Sequence, residues 1–214
     1  MHLKTPSIKG VLILCLLAGL TIFLLTSFSF AREPIRTVTG TVTKVSDGDT
    51  IHVTTPEKTK LRVRLYGIDA PETPKIDKRT GHINKPGQPY GEEAKKALEG
   101  KIKGKQIRLD ITDIDQNKRM VGIISIGNRN INLEMLQEGY AEAYVVYLKE
   151  PHRRQYLQAE REAKSSKKGI WSLRIYERPK DFRKRFKIRG GNESGIEKSP
   201  VFVLKNKTLV RKSV

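Results

Sequence analysis

Two short acidic motifs are the residues of this sequence most suited to chemistry. The first, at residues 46–50, reads Ser-Asp-Gly-Asp-Thr, and the second, at residues 68–72, reads Ile-Asp-Ala-Pro-Glu. The residues between the motifs are predicted to form a strand, a turn and a second strand. Carboxylates that converge from the two flanking turns would supply the hard oxygen ligands that a divalent cation prefers.

An arginine lies on the second of these predicted strands. In residues 61–66, Leu and Val alternate with Arg and Tyr, and this period of two predicts one buried and one exposed face. Arg64 therefore points away from the core, near the acidic motifs, and its guanidinium can bind a phosphate with two parallel hydrogen bonds. A cation site beside a phosphate-binding arginine indicates phosphodiester chemistry.

Length and charge narrow the class of protein. The 214 residues are 37% apolar, enough for one ordinary domain with extensions. The 42 Lys and Arg residues outnumber 23 Asp and Glu residues, giving a net charge of +19. Such an excess indicates a polyanionic partner, either nucleic acid or an anionic membrane surface. The only cysteine, Cys15, lies in the N-terminal apolar run, which excludes an internal disulfide or a thiolate metal site elsewhere.

The N-terminal 31 residues have the pattern of a targeting segment. Basic residues precede an apolar run at residues 11–30, and small residues at Ser29 and Ala31 suit cleavage after Ala31. The same run is about the 20 residues that a membrane span needs, so an uncleaved anchor is the alternative. With either outcome we expect the rest of the chain to be exported, as a secreted or periplasmic protein.

The middle of the chain predicts the scaffold that positions the acidic motifs. An exposed loop is expected at residues 73–89, where three prolines occur without apolar periodicity. The predicted order of elements is typical of an α+β protein, a five-stranded Greek-key barrel of the oligonucleotide-binding type (OB-fold) with three helices, at residues 32–176. The predicted elements are strands at 37–45, 50–54, 60–66, 106–111 and 120–126, an extended stretch at 141–147, and helices at 90–101, around Leu133–Leu136 and at 151–168.

Residues 177–214 form a basic extension. Seven of the twelve residues at 178–189 are basic and one is acidic. The run is followed by a glycine-rich stretch at 190–195 that predicts a linker, and by residues 201–210, which have the pattern of a hairpin. The basic run is either a solvated tail or a clamp on nucleic acid or a membrane surface.

Taken together and in order, the motifs of residues 37–172 resemble the thermonuclease, or staphylococcal-nuclease-like, family of calcium-dependent phosphodiesterases. No single motif would be sufficient, because Asp-Gly-Asp occurs in many turns. The resemblance depends on Asp-Gly-Asp-Thr at 47–50, Arg64 with Leu65, Asp-Ala-Pro-Glu at 69–72, Gln-Pro-Tyr-Gly-Glu-Glu-Ala at 88–94, Arg119, Glu-Gly-Tyr-Ala at 138–141 and Gly-Ile-Trp-Ser at 169–172.

The resemblance implies a role for each acidic residue. Asp49 and Asp69 would bind Ca²⁺ through their carboxylates, and the main-chain carbonyl of Ala70 would be a further ligand. The family commonly has Thr where Ala70 stands, and a carbonyl ligand survives that change. Glu72 would act as the general base for an attacking water, or would orient that water.

The resemblance also implies how the substrate is bound. Arg64 and Arg119 would contact the phosphate and stabilise its transition state. Tyr147 matches an aromatic residue that lies along the nucleotide in the family. A second family tyrosine aligns with Val145 or, one residue away, with Tyr144. Before Arg119 the family often has Tyr-Gly, where this chain has Asn-Lys.

These observations predict a monomeric enzyme that hydrolyses DNA and RNA with Ca²⁺, with single strands favoured. Two alternatives remain. One is a barrel of the same fold that binds single-stranded nucleic acid without cleaving it, because such barrels bind through stacking and charge alone. The other is a cationic protein of anionic membrane surfaces.

Overall fold

The computed structural model describes residues 34–192, with side chains as far as residue 186. The described part of the chain separates into two compact units, which divide between Tyr176 and Glu177. The predicted signal or anchor at residues 1–31 and the predicted hairpin at 201–210 lie outside the described residues.

Strands and helices are numbered in chain order. The strands are β1 Arg36–Asp47, β2 Thr50–Thr54, β3 Lys60–Leu65, β4 Ile68–Asp69, β5 Lys75–Ile76, β6 Ile83–Lys85, β7 Gln106–Ile114, β8 Met120–Ile126, β9 Arg129–Asn130 and β10 Glu142–Ala143. The helices are α1 Gly91–Ile102, α2 Ile131–Gln137, α3 His152–Ser165 and α4 Pro179–Asn192, with a 3₁₀ turn at Gly169–Ser172.

Five strands close into a barrel, which confirms the predicted fold. β1 pairs antiparallel with β2 and with β7, β2 pairs with β3, and β7 pairs with β8. A parallel pairing of β3 with β8, in which Val63 lies opposite Met120, closes the barrel. The period-two pattern explains the closure, because alternate residues of each strand turn inward to a common core that includes Val63 and Leu65.

Three helices cover the core of the barrel unit, as predicted. α1 buries Ala94, Leu98 and Ile102 at the spacing of one helical face. α3 buries Tyr156, Ala159 and Ala163 in the same way. Helix α2 supplies Met135 and Leu136, which are fully buried.

Strand β1 keeps a regular register with β7 through Gly40. The sequence suggests a bulge or a sharp bend at Gly40, and the pairing with β7 has no bulge there, because Gly40 lies opposite Ile107 in regular register. Glycine is needed there for close packing, because a Cβ at this position would lie 2.5 Å from Val53 Cγ1. The irregularities of β1 lie further along, between Val42 and Lys44 and between Val45 and Asp47.

Three other segments differ from their predicted form. The predicted loop at 73–89 contains an antiparallel ribbon of β5 and β6. The predicted extended stretch at 141–147 is strand only at β10, which pairs with β4. The basic run is helical in α4, and this helix includes the first residues of the predicted linker, 190–192. Within residues 34–192, no helix is long and apolar enough to cross a membrane.

Candidate active site

The two acidic motifs meet at one end of the barrel. The first motif turns from β1 into β2, and the second includes β4, which follows β3 after a short turn. Gly48 lets the motifs touch, because a Cβ at Gly48 would lie 2.7 Å from the Cβ of Ala70 and 2.8 Å from the Cβ of Ala94. The first motif, the second motif and the start of helix α1 therefore share one contact point.

Arg64 joins the carboxylates of the two motifs. Its Nη1 lies 2.8 Å from Oδ1 of Asp49, and its Nη2 lies 2.6 Å from Oδ1 of Asp69. Asp49 is fixed further by Thr50, whose hydroxyl donates to Oδ1 at 2.9 Å, and by Ala70, whose amide donates to Oδ2 at 3.0 Å. The structure thus brings Arg64, Asp49, Asp69 and the main chain of Ala70 together, as the sequence predicts.

Negative charge in this cluster exceeds the positive charge of Arg64. Asp49 and Asp69 are 2% and 0% exposed. Burial raises the pKa of Asp49 to about 6, although Arg64 favours the charged form, and the nearby Asp47 raises that pKa further. An additional cation would therefore be stabilised beside Asp49.

The donor atoms of the cluster fit a hard cation. Carboxylate oxygens of Asp49 and Asp69 and the carbonyl of Ala70 are of the type that Ca²⁺ binds. Among residues 34–192, no group of three or more His, Cys, Asp or Glu side chains is arranged to hold a metal ion. A cation bound by the two aspartates would therefore need carbonyl or water oxygens as well.

Glu72 is held in place by the loop that precedes α1. Its amide donates to Oε1 of Gln88 at 3.1 Å, and its carbonyl accepts from the amide of Gln88 at 2.8 Å. Gly91 completes this contact, because a Cβ there would clash with the carbonyl oxygen of Glu72. The half-buried carboxylate of Glu72 lies 3.7 Å from Nζ of Lys85. These contacts explain why the motif at residues 88–94 accompanies the acidic motifs.

Arg119 lies at the start of β8, next to the strand that carries Arg64. Met120 pairs with Val63 of β3, so the register places Arg119 at the neighbouring strand end. Its side chain is held by Asp115, because Nε and Nη2 each lie 2.7 Å from Oδ2 of Asp115. Burial opposes the charge of Asp115, but the hydrogen bonds and charge of Arg119 outweigh it and lower the pKa of Asp115.

Asp115 was not among the residues singled out from the sequence. The feature of the sequence that could have identified it is a carboxylate four residues before the arginine, on the other side of a tight turn. In that turn Lys118 has φ of 57°, the left-handed conformation that glycine adopts easily. This is the position where the family often has glycine, so the turn keeps its shape in spite of the substitution.

The tyrosines lie in the segment that follows β10. Tyr147 is 67% exposed, and its ring centroid is 6.1 Å from that of Tyr144. The segment is tied to the site, because the amide of Tyr144 donates to the carbonyl of Gly67 at 2.9 Å. Glu142 of β10 also pairs with Asp69. Tyr144 thus places an aromatic ring beside Tyr147, whereas the side chain of Val145 is aliphatic.

Two lysines near the site were not predicted. Lys75 Nζ lies 3.6 Å from Oδ2 of Asp47, and Lys85 contacts Glu72 as described above. Asp47 also accepts from the amide of Asp49 at 3.4 Å, which agrees with a structural role in the turn. Both lysines come from the predicted loop, where nothing in the sequence indicated which residues face the carboxylates.

Comparisons with known proteins find similarity to nucleases. A family model described as "Staphylococcal nuclease homologue" matches residues 62–173. A "probable endonuclease LCL3" of Komagataella phaffii is 33% identical over 181 residues, which cover 69% of this chain and 75% of the relative. An "uncharacterized endonuclease" of Haemophilus influenzae is 33% identical over 147 residues, covering 69% and 74%. A "probable staphylococcal-like nuclease CAN3" of Oryza sativa is 36% identical over 125 residues, covering 58% and 29%.

Proposed function

Because this chain belongs to the family of staphylococcal nuclease homologues, we propose that it is a nuclease that hydrolyses DNA and RNA in a calcium-dependent reaction. The main support in the structure is the cluster in which Arg64 bridges two buried aspartates. Glu72 follows in the same segment, and Arg119 lies at the adjacent strand end. These are the residue types that hydrolysis of a phosphodiester requires.

Different protein groups assist different parts of in-line hydrolysis. The oxygen of a water forms a bond to phosphorus while the opposite bond, to the leaving oxygen, breaks. Glu72 takes the proton of the attacking water or aims that water at phosphorus, a contribution of about 10²–10⁴-fold in rate. Arg64 and Arg119 donate hydrogen bonds to the phosphate oxygens, where negative charge increases in the transition state.

Asp49, Asp69 and the carbonyl of Ala70 would hold the calcium ion. When bound, the ion would neutralise charge on the phosphate and on the attacking water. The proposal is supported by the two buried carboxylates that share the single guanidinium of Arg64, and burial raises the pKa of Asp49 in spite of that guanidinium.

Tyr147, with Tyr144 beside it, is proposed to contact the substrate strand. An exposed aromatic ring can stack on any base, and such stacking is worth about 1–3 kcal/mol per base. Stacking of this kind needs unpaired bases, which supports a preference for single strands.

Activity staining in gels tests the proposal. The full chain should clear DNA and RNA gels with Ca²⁺ and stop doing so with a chelator. Glu72→Gln should lower the rate by about 10²–10⁴-fold, because the proton acceptor is lost. The matched control is Glu162→Gln, which removes an exposed glutamate of α3 that is bonded to Gln158.

Two results would contradict the proposal in different ways. Binding of single-stranded nucleic acid without cleavage would favour the non-catalytic barrel. Cleavage that is the same in chelator as in Ca²⁺ would retain the nuclease and remove the calcium requirement.

Export and a monomeric state are also proposed. The support for export is the apolar run at residues 11–30 with basic residues before it. Binding of residues 177–214 to nucleic acid or to an anionic membrane is supported only by their charge.

A further inference from the structure

The ribbon of β5 and β6 carries a pair of lysines next to the candidate active site. Lys75 lies opposite Lys85, and Ile76 lies opposite Ile83. The register is irregular between the two pairs, because Lys75 and Ile76 are consecutive in β5 whereas Ile83 and Lys85 are two residues apart in β6. Both lysine side chains reach carboxylates of the acidic motifs, Lys75 that of Asp47 and Lys85 that of Glu72.

The contacts of the two lysines are long. Lys75 Nζ lies 3.6 Å from Asp47 and Lys85 Nζ lies 3.7 Å from Glu72. Charge-assisted hydrogen bonds between nitrogen and oxygen are usually about 2.7–2.9 Å. Lys75 makes its shorter contact, 3.2 Å, with the hydroxyl of Thr73. The lysines are therefore held near the carboxylates by charge attraction and not by short hydrogen bonds. A phosphate that approaches can replace the carboxylates as their partner.

The ribbon has a defined structure at both ends. At its base, Glu72 and Gln88 exchange two hydrogen bonds. At its tip, Asp77 accepts from the amide of Arg79 at 2.8 Å, and its carbonyl accepts from the amide of Gly81 at 2.8 Å. A ribbon fixed in this way can present its lysines in a constant position.

Charge extends along the ribbon away from the site. Residues 75–85 contain Lys75, Lys78, Arg79 and Lys85 but only one acidic residue, Asp77. Lys78 and Arg79 at the tip are exposed. Lys78 follows Lys75 by three residues, beyond the end of β5 at Ile76, so the two residues lie at most about 10 Å apart along the chain. A basic strip thus begins at the carboxylates and continues outward.

We propose that the ribbon is a subsite for the phosphates that flank the scissile phosphate of a single-stranded polynucleotide. Lys75 and Lys85 leave Asp47 and Glu72 to contact these phosphates, and Lys78 and Arg79 extend the contact along the strand. This inference rests on the proposed nuclease function, because it needs a polynucleotide in the site. A substrate with a single phosphodiester has no flanking phosphates and gains little from the ribbon.

The test compares two double variants of the full chain. The first is Lys75→Gln with Lys85→Gln. The matched control is Lys103→Gln with Lys164→Gln, which removes two other ion-paired lysines, at 3.5 Å from Glu99 and 3.0 Å from Glu160. Binding of a single-stranded oligonucleotide is measured in chelator over a range of salt concentrations. Cleavage of a long single strand and of a dinucleotide is then compared by kcat/KM.

We expect the ribbon variant to bind with a weaker salt dependence and to have a smaller preference for long strands. The slope of log K against log salt should fall by about 0.7 for each lysine removed. The ratio of kcat/KM for the long strand to that for the dinucleotide should fall on the order of tenfold. Lys75→Arg with Lys85→Arg should restore both quantities, because the positive charge is kept.

A slope and a ratio equal to those of the Lys103 and Lys164 control would overturn the subsite. A parent protein that cleaves nothing would instead contradict the proposed function, and the binding slope would still decide the question of the ribbon.

Discussion

Two ion-pair clusters in this protein contain the same kinds of side chain, but the pKa of a carboxylate is raised in one and lowered in the other. In the site cluster, Arg64 joins Asp49 and Asp69 at 2.8 and 2.6 Å. In the helix cluster, Glu134 of α2 joins Arg129 at 2.6 Å and Lys101 at 3.0 Å. The distances are alike, so geometry does not distinguish the two.

Charge balance and burial do distinguish them. The site cluster has two acids on one base, and its acids are buried, so the pKa of Asp49 is raised to about 6 by burial. The helix cluster is balanced, because Arg129 and Lys101 contact Glu134 while Lys101 also contacts Glu138, and it lies nearer solvent. There the hydrogen bond from Arg129, aided by Lys101, lowers the pKa of Glu134. The helix cluster therefore contributes to stability, whereas the site cluster holds an excess of negative charge that costs stability and is useful for binding a cation.

The largest effect is expected when each cluster loses its arginine. Arg64→Met removes a phosphate donor and should lower kcat about 10²–10³-fold. It also leaves two buried aspartates without their cation, which should cost about 3 kcal/mol of unfolding free energy at pH 8. Arg129→Met is the matched control, because Lys101 still neutralises Glu134 and solvent reaches the pair. Chemical denaturation and single-turnover cleavage measure the two effects.

Equal losses of stability in the two variants would show that the site cluster is an ordinary structural ion pair. Full activity in Arg64→Met, with stability reduced, would remove Arg64 from the catalytic residues while leaving the comparison of stabilities intact.

The second effect is a dependence on pH of opposite sign in the two clusters. Because the folded protein raises the pKa of Asp49 from 3.8 to about 6, it binds more protons than the unfolded chain in this range. Stability contributed by protonated Asp49 is therefore complete below about pH 4 and is lost as the pH rises through 6. In chelator, the parent should lose about 2 kcal/mol relative to Asp49→Asn between pH 4 and 6.5.

Comparing the parent with Asp49→Asn removes effects that do not change with pH, such as the altered contact with the amide of Ala70. Urea denaturation at several pH values supplies the difference. A difference that stays constant, or that grows in favour of the parent as the pH rises, would mean that Arg64 fully compensates Asp49.

The sequence predicted the barrel and the site residues unequally. The barrel follows from local patterns, because alternating strands such as β3 and the apolar face of α1 are encoded within a few residues. Asp49, Asp69 and Arg64 were found because three short motifs occur in a fixed order. Their ion pairs depend on the close packing of the two turns, which the lack of a side chain at Gly48 permits. The spacing of the motifs in the sequence does not show this packing.

The other contacts were hidden for a similar reason. Asp115 binds Arg119 across a turn, and Lys85 reaches Glu72 only because residues 73–89 fold into a ribbon. That segment has prolines and no apolar period, so its sequence favours a loop and does not encode a register. The pairing of Tyr144 with Tyr147 likewise depends on the anchoring of their segment to Gly67. The sequence could not supply these side-chain partners, because each depends on how a turn, a ribbon or an anchored segment folds.

The smallest effect is expected from Glu134→Gln. Removing this carboxylate should cost about 0.5–1 kcal/mol at neutral pH, because Lys101 keeps Glu138 at 2.6 Å. The lowered pKa of Glu134 means that its contribution is present above about pH 4.5 and is lost as the pH falls through the folded value. The difference in unfolding free energy between parent and variant should therefore shrink in acid, which is opposite to the behaviour of Asp49. It should shrink also in high salt, because the groups lie near solvent. Urea denaturation at pH 7 and pH 3.5 measures this difference in unfolding free energy. A loss that persists unchanged in acid would show that Glu134 acts through packing instead of charge. That result would end the contrast between the two clusters.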